Sequence, residues 1–177
     1  DGWQDLYFCN LEGSNGLYRN LGGFKFENMT RASNVACTNQ SSRGAAFADL
    51  NGDGSLDLLV TSISGPNACL LNDGRGHFQD VTATAGLVLL RAGCESATLA
   101  DIDGNGTLDV YIANNGERLL TRDGGTISIG IVNGKPQVMG RMGQQLRIVD
   151  GVYVEYGVPH SLFLNDGQGH FRRVSWT

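Results

Sequence analysis

Two short loops of the sequence carry carboxylate and amide side chains at alternate positions. These side chains occupy positions 1, 3, 5 and 9 of each loop, and they are Asp49, Asn51, Asp53 and Asp57 in the first loop and Asp101, Asp103, Asn105 and Asp109 in the second. Side chains at alternate positions of a tight loop converge on one point. Calcium prefers oxygen ligands, about six to eight of them. The spacing therefore predicts two Ca²⁺ sites.

The other residues of the loops support the same chemistry. Gly54 and Gly106 stand at position 6, where the chain must turn sharply and glycine does so without a steric penalty. The backbone carbonyl groups of Ser55 and Thr107, at position 7, are the natural main-chain ligands. Because neither loop contains cysteine or histidine, a soft transition metal is disfavoured. We expect a structural ion that fixes each loop.

Other interpretations of the loops are weaker. An EF-hand needs a glutamate at position 12, where Val60 and Ile112 stand, and it needs flanking helices instead of strand-like runs. Plain Asn/Asp-Gly turns without a metal are the simpler alternative, but two near-complete copies in register favour calcium. An incomplete copy at the start of the chain retains only Asp1 and Asp5, which predicts weak binding or none.

The loops belong to an internal repeat. The segment Phe47–Val60 returns as Leu99–Ile112, 52 residues later, and Asp5, Asp57 and Asp109 are spaced by the same 52 residues. A repeat of this length must be interpreted before any single motif, because it decides the architecture. The chain is therefore expected to be an array of similar units.

A second motif follows each loop. It has the form NDGxGHF in the copies that begin at Asn72 and Asn165, whereas the first copy, NLGGFKF from Asn20, departs from the pattern and lacks the aspartate. The third copy comes 93 residues after the second, which is one period of 52 plus an insertion of 41. The insertion lies at about residues 115–160. Its strand-like segments, Thr126–Val132 with Lys135–Met139 and Leu146–Val149 with Val152–Tyr156, flank Asn-Gly and Asp-Gly pairs, the preferred two-residue hairpin turns. The sequence predicts a β-hairpin insertion.

Each unit has the pattern of four short strands joined by glycine-rich turns. This pattern, at a period of about 40–60 residues, is typical of a β-propeller blade. We predict an all-β chain of about three four-stranded antiparallel blades: a partial first blade over 1–35, a second over 36–88 with a calcium loop, and a third over 89–177 with a calcium loop and the insertion. Because a ring needs about four to eight blades, we expect the partners to be remaining blades of a longer polypeptide or other protein chains.

The composition excludes several classes of function. The net charge of −5 and the isoelectric point of about 5.0 leave no basic patch for nucleic acid. No apolar run approaches the roughly 18 residues that a membrane span needs. The cysteines, which are Cys9, Cys37, Cys69 and Cys94, lack zinc-type spacing. They allow one or two disulfides or buried thiols, and the sequence does not choose between these.

The motifs together resemble a known repeat family. The segments Phe47–Val60 and Leu99–Ile112 are similar to the FG-GAP/VCBS repeats of integrin α-chain propellers and of many bacterial secreted proteins. The stretch Asn72–Leu87 is similar to the repeats of bacterial relatives of cartilage acidic protein. The resemblance covers nearly the whole chain apart from the insertion. It implies a calcium-stabilised scaffold, secreted, periplasmic or at the cell surface, in adhesion or protein–protein contact, and it implies no single activity.

The expected function is that of a calcium-binding extracellular scaffold and not of an enzyme. No GxSxG, HExxH or P-loop motif is present. The equivalent positions of His77 and His170 in the NDGxGH motifs indicate a role in the turns. Two alternatives stay open. One is a carbohydrate-binding module, with Tyr153 and Tyr156 as candidate contacts, and the other is a non-catalytic part of a polysaccharide-active enzyme.

Overall fold

The computed structural model describes residues 2–87, 93–115, 127–140, 143, 146–155 and 158–175. These residues form β-strands and a helix of one turn, α1 (Thr82–Ala85). No helix among them is long and apolar enough to cross a bilayer. The strands are β1 (Leu6–Phe8), β2 (Gly16–Asn20), β3 (Phe26–Asn28), β4 (Ser41–Ala48), β5 (Asp57–Ser64), β6 (Ala68–Asn72), β7 (Phe78–Asp80), β8 (Cys94–Ala100), β9 (Asp109–Asn114), β10 (Ile129–Val132), β11 (Lys135–Val138), β12 (Leu146–Val149), β13 (Val152–Glu155), β14 (Ser161–Asn165) and β15 (Phe171–Val174).

Three antiparallel sheets follow one another along the chain and have the form of propeller blades. Blade 1 has the strand order β1-β2-β3, blade 2 has β4-β5-β6-β7, and blade 3 has β8-β9-β14-β15. Cross-strand pairs recur at repeat-related positions, since Leu58 faces Leu70 in blade 2 and Val110 faces Phe163 in blade 3. The predicted all-β fold of four-stranded antiparallel blades is confirmed, and blade 1 has three described strands.

Two apolar clusters pack the blades against one another. The cluster between blades 1 and 2 contains Leu17, Val35, Leu58, Val60, Ala68, Leu70 and Phe78. The cluster between blades 2 and 3 contains Ala48, Leu50, Leu59, Cys69, Ala85, Leu87, Cys94, Val110, Ile112, Phe163 and Phe171. Strand β5 has a sheet on each side, and its alternate side chains enter one cluster or the other. For this reason its first six residues, from Asp57 to Ser62, are all buried.

The first strands of blades 2 and 3 also meet directly. Arg43 Nε on β4 donates to Glu95 Oε2 on β8 at 2.8 Å, and the hydroxyl of Thr61 lies 3.3 Å from the carbonyl oxygen of Glu95. A Cβ added at Gly44 would lie 3.2 Å from the same carbonyl oxygen, which is closer than most real Cβ contacts. The small residues of β4 therefore allow the blades to approach closely at this edge.

The insertion carries two hairpins. β10 pairs with β11, and β12 pairs with β13, each as a two-stranded antiparallel sheet. Asn133 and Asp150 both have φ of +50°, and the glycines that follow them have φ of +74° and +79°, as two-residue turns require. The predicted hairpins are confirmed. Thr126 and Tyr156, at the outer ends of the predicted strands, lie outside the described residues.

The contact between blades 1 and 2 generates a stability prediction. Leu58 is fully buried in it, whereas Leu56, two residues earlier, is exposed. Replacing Leu58 by alanine should lower the free energy of unfolding by about 2–5 kcal/mol, because it leaves a cavity in a packed cluster. Leu56→Ala is the matched control and should change it by less than about 0.5 kcal/mol. Urea unfolding measures both, and equal effects would contradict the described packing.

Candidate metal centre

Both predicted loops connect the first two strands of a blade. The first loop joins β4 to β5, and the second joins β8 to β9. Ala48 pairs with Asp57 across the first loop, and Ala100 pairs with Asp109 across the second. Position 9 of each loop is thus the first residue of the returning strand. The sheet hydrogen bonds therefore hold the two ends of each loop together.

The carboxylate of Asp49 organises the first loop. Its Oδ1 accepts hydrogen bonds from the backbone N–H groups of Gly52 at 2.7 Å and Asp53 at 3.2 Å, and its Oδ2 accepts from Gly54 at 2.9 Å. Gly52 and Gly54 have φ of +77° and +83°, in the left-handed region that glycine adopts without strain. The backbone of the loop is therefore wrapped around the carboxylate at position 1.

The second loop repeats this arrangement around Asp101. Its Oδ1 accepts from Gly104 at 2.8 Å and Asn105 at 3.1 Å, and its Oδ2 accepts from Gly106 at 2.9 Å. The two loops share this geometry although the residues at positions 3 and 5 are exchanged between Asn and Asp. The aspartate at position 1 and the two glycines, which both loops share, therefore contribute to the common shape of the loops.

The aspartate at position 9 is buried and is held by backbone donors. Asp57 Oδ2 accepts from the N–H of Leu50 at 2.8 Å, and its Oδ1 accepts from the N–H of Asn72 at 2.8 Å. Burial raises the pKa of Asp57, whereas the hydrogen bonds from Asn72 and Leu50 act in the opposite direction. This carboxylate joins its own loop to the turn that follows the third strand of the blade.

Asp109 is held in the same way, by the N–H groups of Ile102 at 2.8 Å and Asn165 at 2.9 Å. Asn165 opens an NDGxGH motif, and its side-chain amide also donates to the carbonyl oxygen of Leu108 at 3.0 Å. This role of Asn72 and Asn165 was not predicted from the sequence. The available signal was the recurrence of the asparagine in every copy of the motif.

The second loop brings three carboxylates together. One oxygen from each of Asp101, Asp103 and Asp109 lies within 4.8 Å of the others. Within the part of the chain that the structure describes, this is the one group of three acidic, histidine or cysteine side chains with such spacing. Three of the four side chains predicted as ligands of the second site are therefore adjacent.

The fourth predicted side chain of the second loop, Asn105, contacts the neighbouring turn. Its Nδ2 donates to the carbonyl oxygen of Asn165 at 3.2 Å, and its Oδ1 accepts from the N–H of Thr107 at 2.8 Å. The hydroxyl of Thr107 lies 2.6 Å from Asn105 Oδ1 and 3.1 Å from the carbonyl oxygen of Asn165. These contacts fix the second loop to the end of β14.

The first loop arranges its acidic side chains differently. Asp53 Oδ1 accepts from the N–H of Ser55 at 2.7 Å, and its Oδ2 accepts from Asn51 Nδ2 at 2.9 Å. These bonds lower the pKa of Asp53, with the N–H of Ser55 as the larger cause. Asp49, Asp53 and Asp57 do not form a group as compact as that of the second loop among the described residues. A close group of three carboxylates is thus found in the second of the two predicted sites.

The side chains of both loops fit a hard divalent cation. They offer carboxylate and amide oxygens at four positions each, with no cysteine or histidine among them. The salt bridges within the described residues, Arg43 with Glu95 and His170 with Asp166, involve none of the loop aspartates. Neither of these two salt bridges therefore neutralises the charge of the loops.

The histidines of the NDGxGH motifs lie in turns. The N–H of Asp166 donates to the carbonyl oxygen of His170 at 3.1 Å, and His170 Nδ1 lies 3.1 Å from Asp166 Oδ2. Asp73 and His77 share the equivalent backbone bond at 3.0 Å. The predicted turn role is confirmed. His160 accepts the N–H of Asn114 on its Nδ1 at 3.0 Å.

The cysteines, Cys9, Cys37, Cys69 and Cys94, are free thiols in the structure. Of the two interpretations that the sequence left open, the structure shows the thiol form. Burial is the main cause that raises the pKa of Cys69, to about 12. This side chain is therefore a protonated thiol at neutral pH, and it packs as a small apolar residue in the cluster between blades 2 and 3.

The buried aspartate should stabilise the fold without any metal. Asp57→Asn replaces one acceptor oxygen by an NH₂ group that faces a backbone donor, so the free energy of unfolding should fall by about 1–3 kcal/mol. Asp53→Asn, at an exposed position of the same loop, is the control and should change it by less than about 0.5 kcal/mol. Urea unfolding in excess chelator measures both variants. Equal losses would show that Asp57 has no special structural role.

Known proteins share the repeat that carries these loops. Cartilage acidic protein 1 of Xenopus tropicalis is 27% identical over 113 residues, and that of Homo sapiens is 26% identical over 113 residues. Each alignment covers 62% of this chain and 17% of the relative, so the matched region is less than a fifth of the length of these curated relatives. The family model described as the FG-GAP-like repeat matches residues 1–60 and 49–112. These two matches overlap at the first loop and together cover more than half of the sequence, and the chain belongs to the FG-GAP-like repeat family.

Proposed function

We propose that this protein is a calcium-binding propeller segment that serves as a structural and protein-interaction scaffold outside the cell. The FG-GAP repeat is an extracellular type of interaction module, and that family assignment supports the general role. The observation that carries the calcium proposal is the grouping of Asp101, Asp103 and Asp109 within 4.8 Å in a loop that the backbone already shapes.

Electrostatic repulsion explains why such a group needs a cation. Two unit charges about 4 Å apart repel by about 1 kcal/mol in water and by about 4 kcal/mol at an effective dielectric constant of 20. Because Asp109 is buried, the effective dielectric constant around it is lower than in water, and the repulsion energy between its carboxylate and the other two is correspondingly larger. A divalent ion among the three carboxylates converts the repulsion into attraction. Calcium binding would therefore stabilise the folded state.

The proposed site is connected to the contact between blades. The side-chain amide of Asn165 donates to the carbonyl oxygen of Leu108 in the second loop at 3.0 Å, and to that of Leu50 in the first loop at 2.9 Å. Asn165 thus links the loops of neighbouring blades. An ion that holds the second loop also holds the position of Asn165, and with it the contact between blades 2 and 3.

The proposal includes one ion in each loop. The ligands in the first loop are the side chains of Asp49, Asn51, Asp53 and Asp57 with the carbonyl group of Ser55, and those in the second are Asp101, Asp103, Asn105 and Asp109 with the carbonyl group of Thr107. We also propose that the chain is divided into units 1–35, 36–88 and 89–177. This division places each of the two calcium loops at the same position within its own unit. Magnesium should bind more weakly, since it demands near-ideal octahedral geometry.

We assign the protein no catalytic residue and infer that it acts as a scaffold. The partners proposed are further blades or other protein chains. Glycan binding has less support, because the described residues of the insertion supply one exposed aromatic side chain, Tyr153, while Tyr156 lies outside them. A stacking surface for a sugar is usually built from more than one aromatic ring. The calcium-stabilised scaffold is therefore the function that we put forward.

Calorimetry on the metal-free protein tests the two sites. The protein should bind two Ca²⁺ ions per chain, and Asp53→Ala and Asp103→Ala should each remove one of them. At a free calcium concentration 100 times the dissociation constant, each site should stabilise the fold by about 2.7 kcal/mol. That corresponds to a rise in melting temperature of about 5–10 °C for each site in a chain of this size.

Asp73→Ala is the matched control. Asp73 is an exposed aspartate in a neighbouring glycine-rich turn, where it accepts the N–H of Arg75, and it lies outside both loops. This variant should keep both sites. The absence of calcium binding, or an unchanged number of sites in both loop variants, would reduce the loops to ordinary turns and would contradict the proposal.

A further inference from the structure

The four cysteines divide between the two apolar clusters. Cys9 and Cys37 pack against the cluster between blades 1 and 2, whereas Cys69 and Cys94 belong to the cluster between blades 2 and 3. The sheet of blade 2 separates these clusters, and a disulfide needs two Cα atoms about 4.4–6.8 Å apart with side chains that point toward each other. The fold therefore favours pairing within a cluster over pairing between clusters.

The two pairs differ in their access to solvent. Cys69 and Cys94 are 0% and 1% exposed, and the clusters of the folded protein enclose them. Cys9 and Cys37 are half-buried, so reagents in solution can reach them. Because the rate of thiol–disulfide exchange depends on access to the sulfur, Cys9 and Cys37 are the pair that can react in the folded protein.

Asn15 binds the main chain at both of these cysteines. The peptide group that joins Cys9 to Asn10 donates its N–H to Asn15 Oδ1 at 2.8 Å. The peptide group that joins Ala36 to Cys37 accepts the N–H of Asn15 on its carbonyl oxygen at 2.8 Å. Asn15 itself is 2% exposed. One buried residue therefore holds the two cysteine-bearing segments beside each other.

Tyr7 contacts the same group of residues. The Sγ atom of Cys37 lies 3.7 Å from the hydroxyl of Tyr7, which also accepts a hydrogen bond from Asn15 Nδ2 at 2.8 Å. Cys9 comes two residues after Tyr7, and side chains two residues apart along an extended chain lie on the same face. Tyr7, Cys9 and Cys37 all pack against the cluster between blades 1 and 2. The two thiols thus lie on one side of blade 1.

The pKa values of the two thiols agree with this arrangement. Burial is the largest cause that raises the pKa of Cys9, and the charge of the Cys37 thiolate is the second. Burial also raises the pKa of Cys37, whereas hydrogen bonds from Tyr7 and Asn15 lower it. Because electrostatic interactions weaken with distance, the effect of one thiolate on the other indicates that the two are neighbours.

We propose that Cys9 and Cys37 form a disulfide bond under oxidising conditions, and that this bond fastens blade 1 to the segment that leads into blade 2. The structure shows the reduced form. The bond would close a loop that contains β2 and β3, and such a cross-link stabilises the folded state by restricting the unfolded chain. This inference goes beyond the proposed function and rests on it in one respect, the location outside the cell, where disulfides persist.

The bond would form by two exchange steps with a small disulfide such as oxidised glutathione. The thiolate of Cys37, which Tyr7 and Asn15 stabilise, attacks one sulfur of the oxidant and releases one molecule of glutathione as a thiol. The thiolate of Cys9 then attacks the sulfur of Cys37 in the mixed disulfide and releases the second molecule. The protein loses two thiol hydrogens and is oxidised, and the oxidant is reduced to two thiols.

Peptide mapping of the whole chain tests the bond. The protein is treated with oxidised glutathione at about pH 8.5, where the thiolate fraction is larger. It is then unfolded, alkylated and digested with trypsin without reduction. Cys9 lies in the tryptic peptide 1–19 and Cys37 in 32–43, whereas Cys69 lies in 44–75 and Cys94 in 92–118. We expect peptides 1–19 and 32–43 to be joined in monomeric protein, and the other two cysteines to be alkylated.

Thermal melting measures the effect of the bond on the fold. Oxidation should raise the melting temperature of the protein by about 5 °C or more, and a reductant should reverse the rise. Cys37→Ser should abolish both the joined peptides and the rise, whereas Cys69→Ala, the matched control, should keep both. The peptide map of the unaltered chain needs no variant, so it decides the question even if Cys37→Ser fails to fold.

Several outcomes would overturn the proposal. They are four alkylated cysteines after oxidation, peptides 44–75 and 92–118 joined instead, glutathione that stays attached to Cys9 or Cys37, and a bond that leaves the melting temperature unchanged. Each measurement is made both in calcium and in chelator. A failure of calcium binding would contradict the proposed function and would leave the peptide map unchanged, so the two failures are distinguishable.

Discussion

The carboxylate of Asp57 lies where three parts of a blade meet. It begins β5, accepts the N–H of Leu50 from the loop, and accepts the N–H of Asn72 from the next turn. A buried carboxylate without such donors would be costly, so the loop and the turn must keep their positions around it. Asp109 occupies the same place in blade 3. The two sequence motifs of each unit are therefore held together by one side chain, and the proposed cation would bind beside it.

The arrangement of the blades depends on this local order. Asn165, which donates its N–H to Asp109, also donates its side-chain amide to the loop of the preceding blade at Leu50. Beneath these polar contacts, the apolar clusters bury β5 on both of its faces. The polar contacts of the loops and the apolar contacts between the sheets thus both hold blade 2 against blade 3. A cation in the second loop would stabilise the contact between blades 2 and 3 without touching the apolar cluster.

Much of this architecture can be predicted from the sequence because it is repeated. The spacing of Asp5, Asp57 and Asp109 indicates the unit, and Asn133 before Gly134 indicates a hairpin turn that the structure confirms. The recurrence of Asn72 in the motif marks the position, but its bond to Asp57 could not be predicted, because the partner depends on the fold of the turn. The difference in burial between Phe8, which is exposed, and Val60, which is buried, could not be predicted either. Both lie in strands of the same pattern, and only the neighbouring sheet decides which one is buried.

A crystal structure of the protein grown with calcium, with anomalous diffraction data, tests the central claim most directly. We predict one anomalous peak in each loop, with about six to eight oxygen atoms at about 2.3–2.6 Å from the ion. The side chains of Asp101, Asp103 and Asp109 should all be among the ligands of the second peak. Well-ordered loops that carry no peak at saturating calcium would contradict the account, and so would a peak that is coordinated elsewhere on the chain.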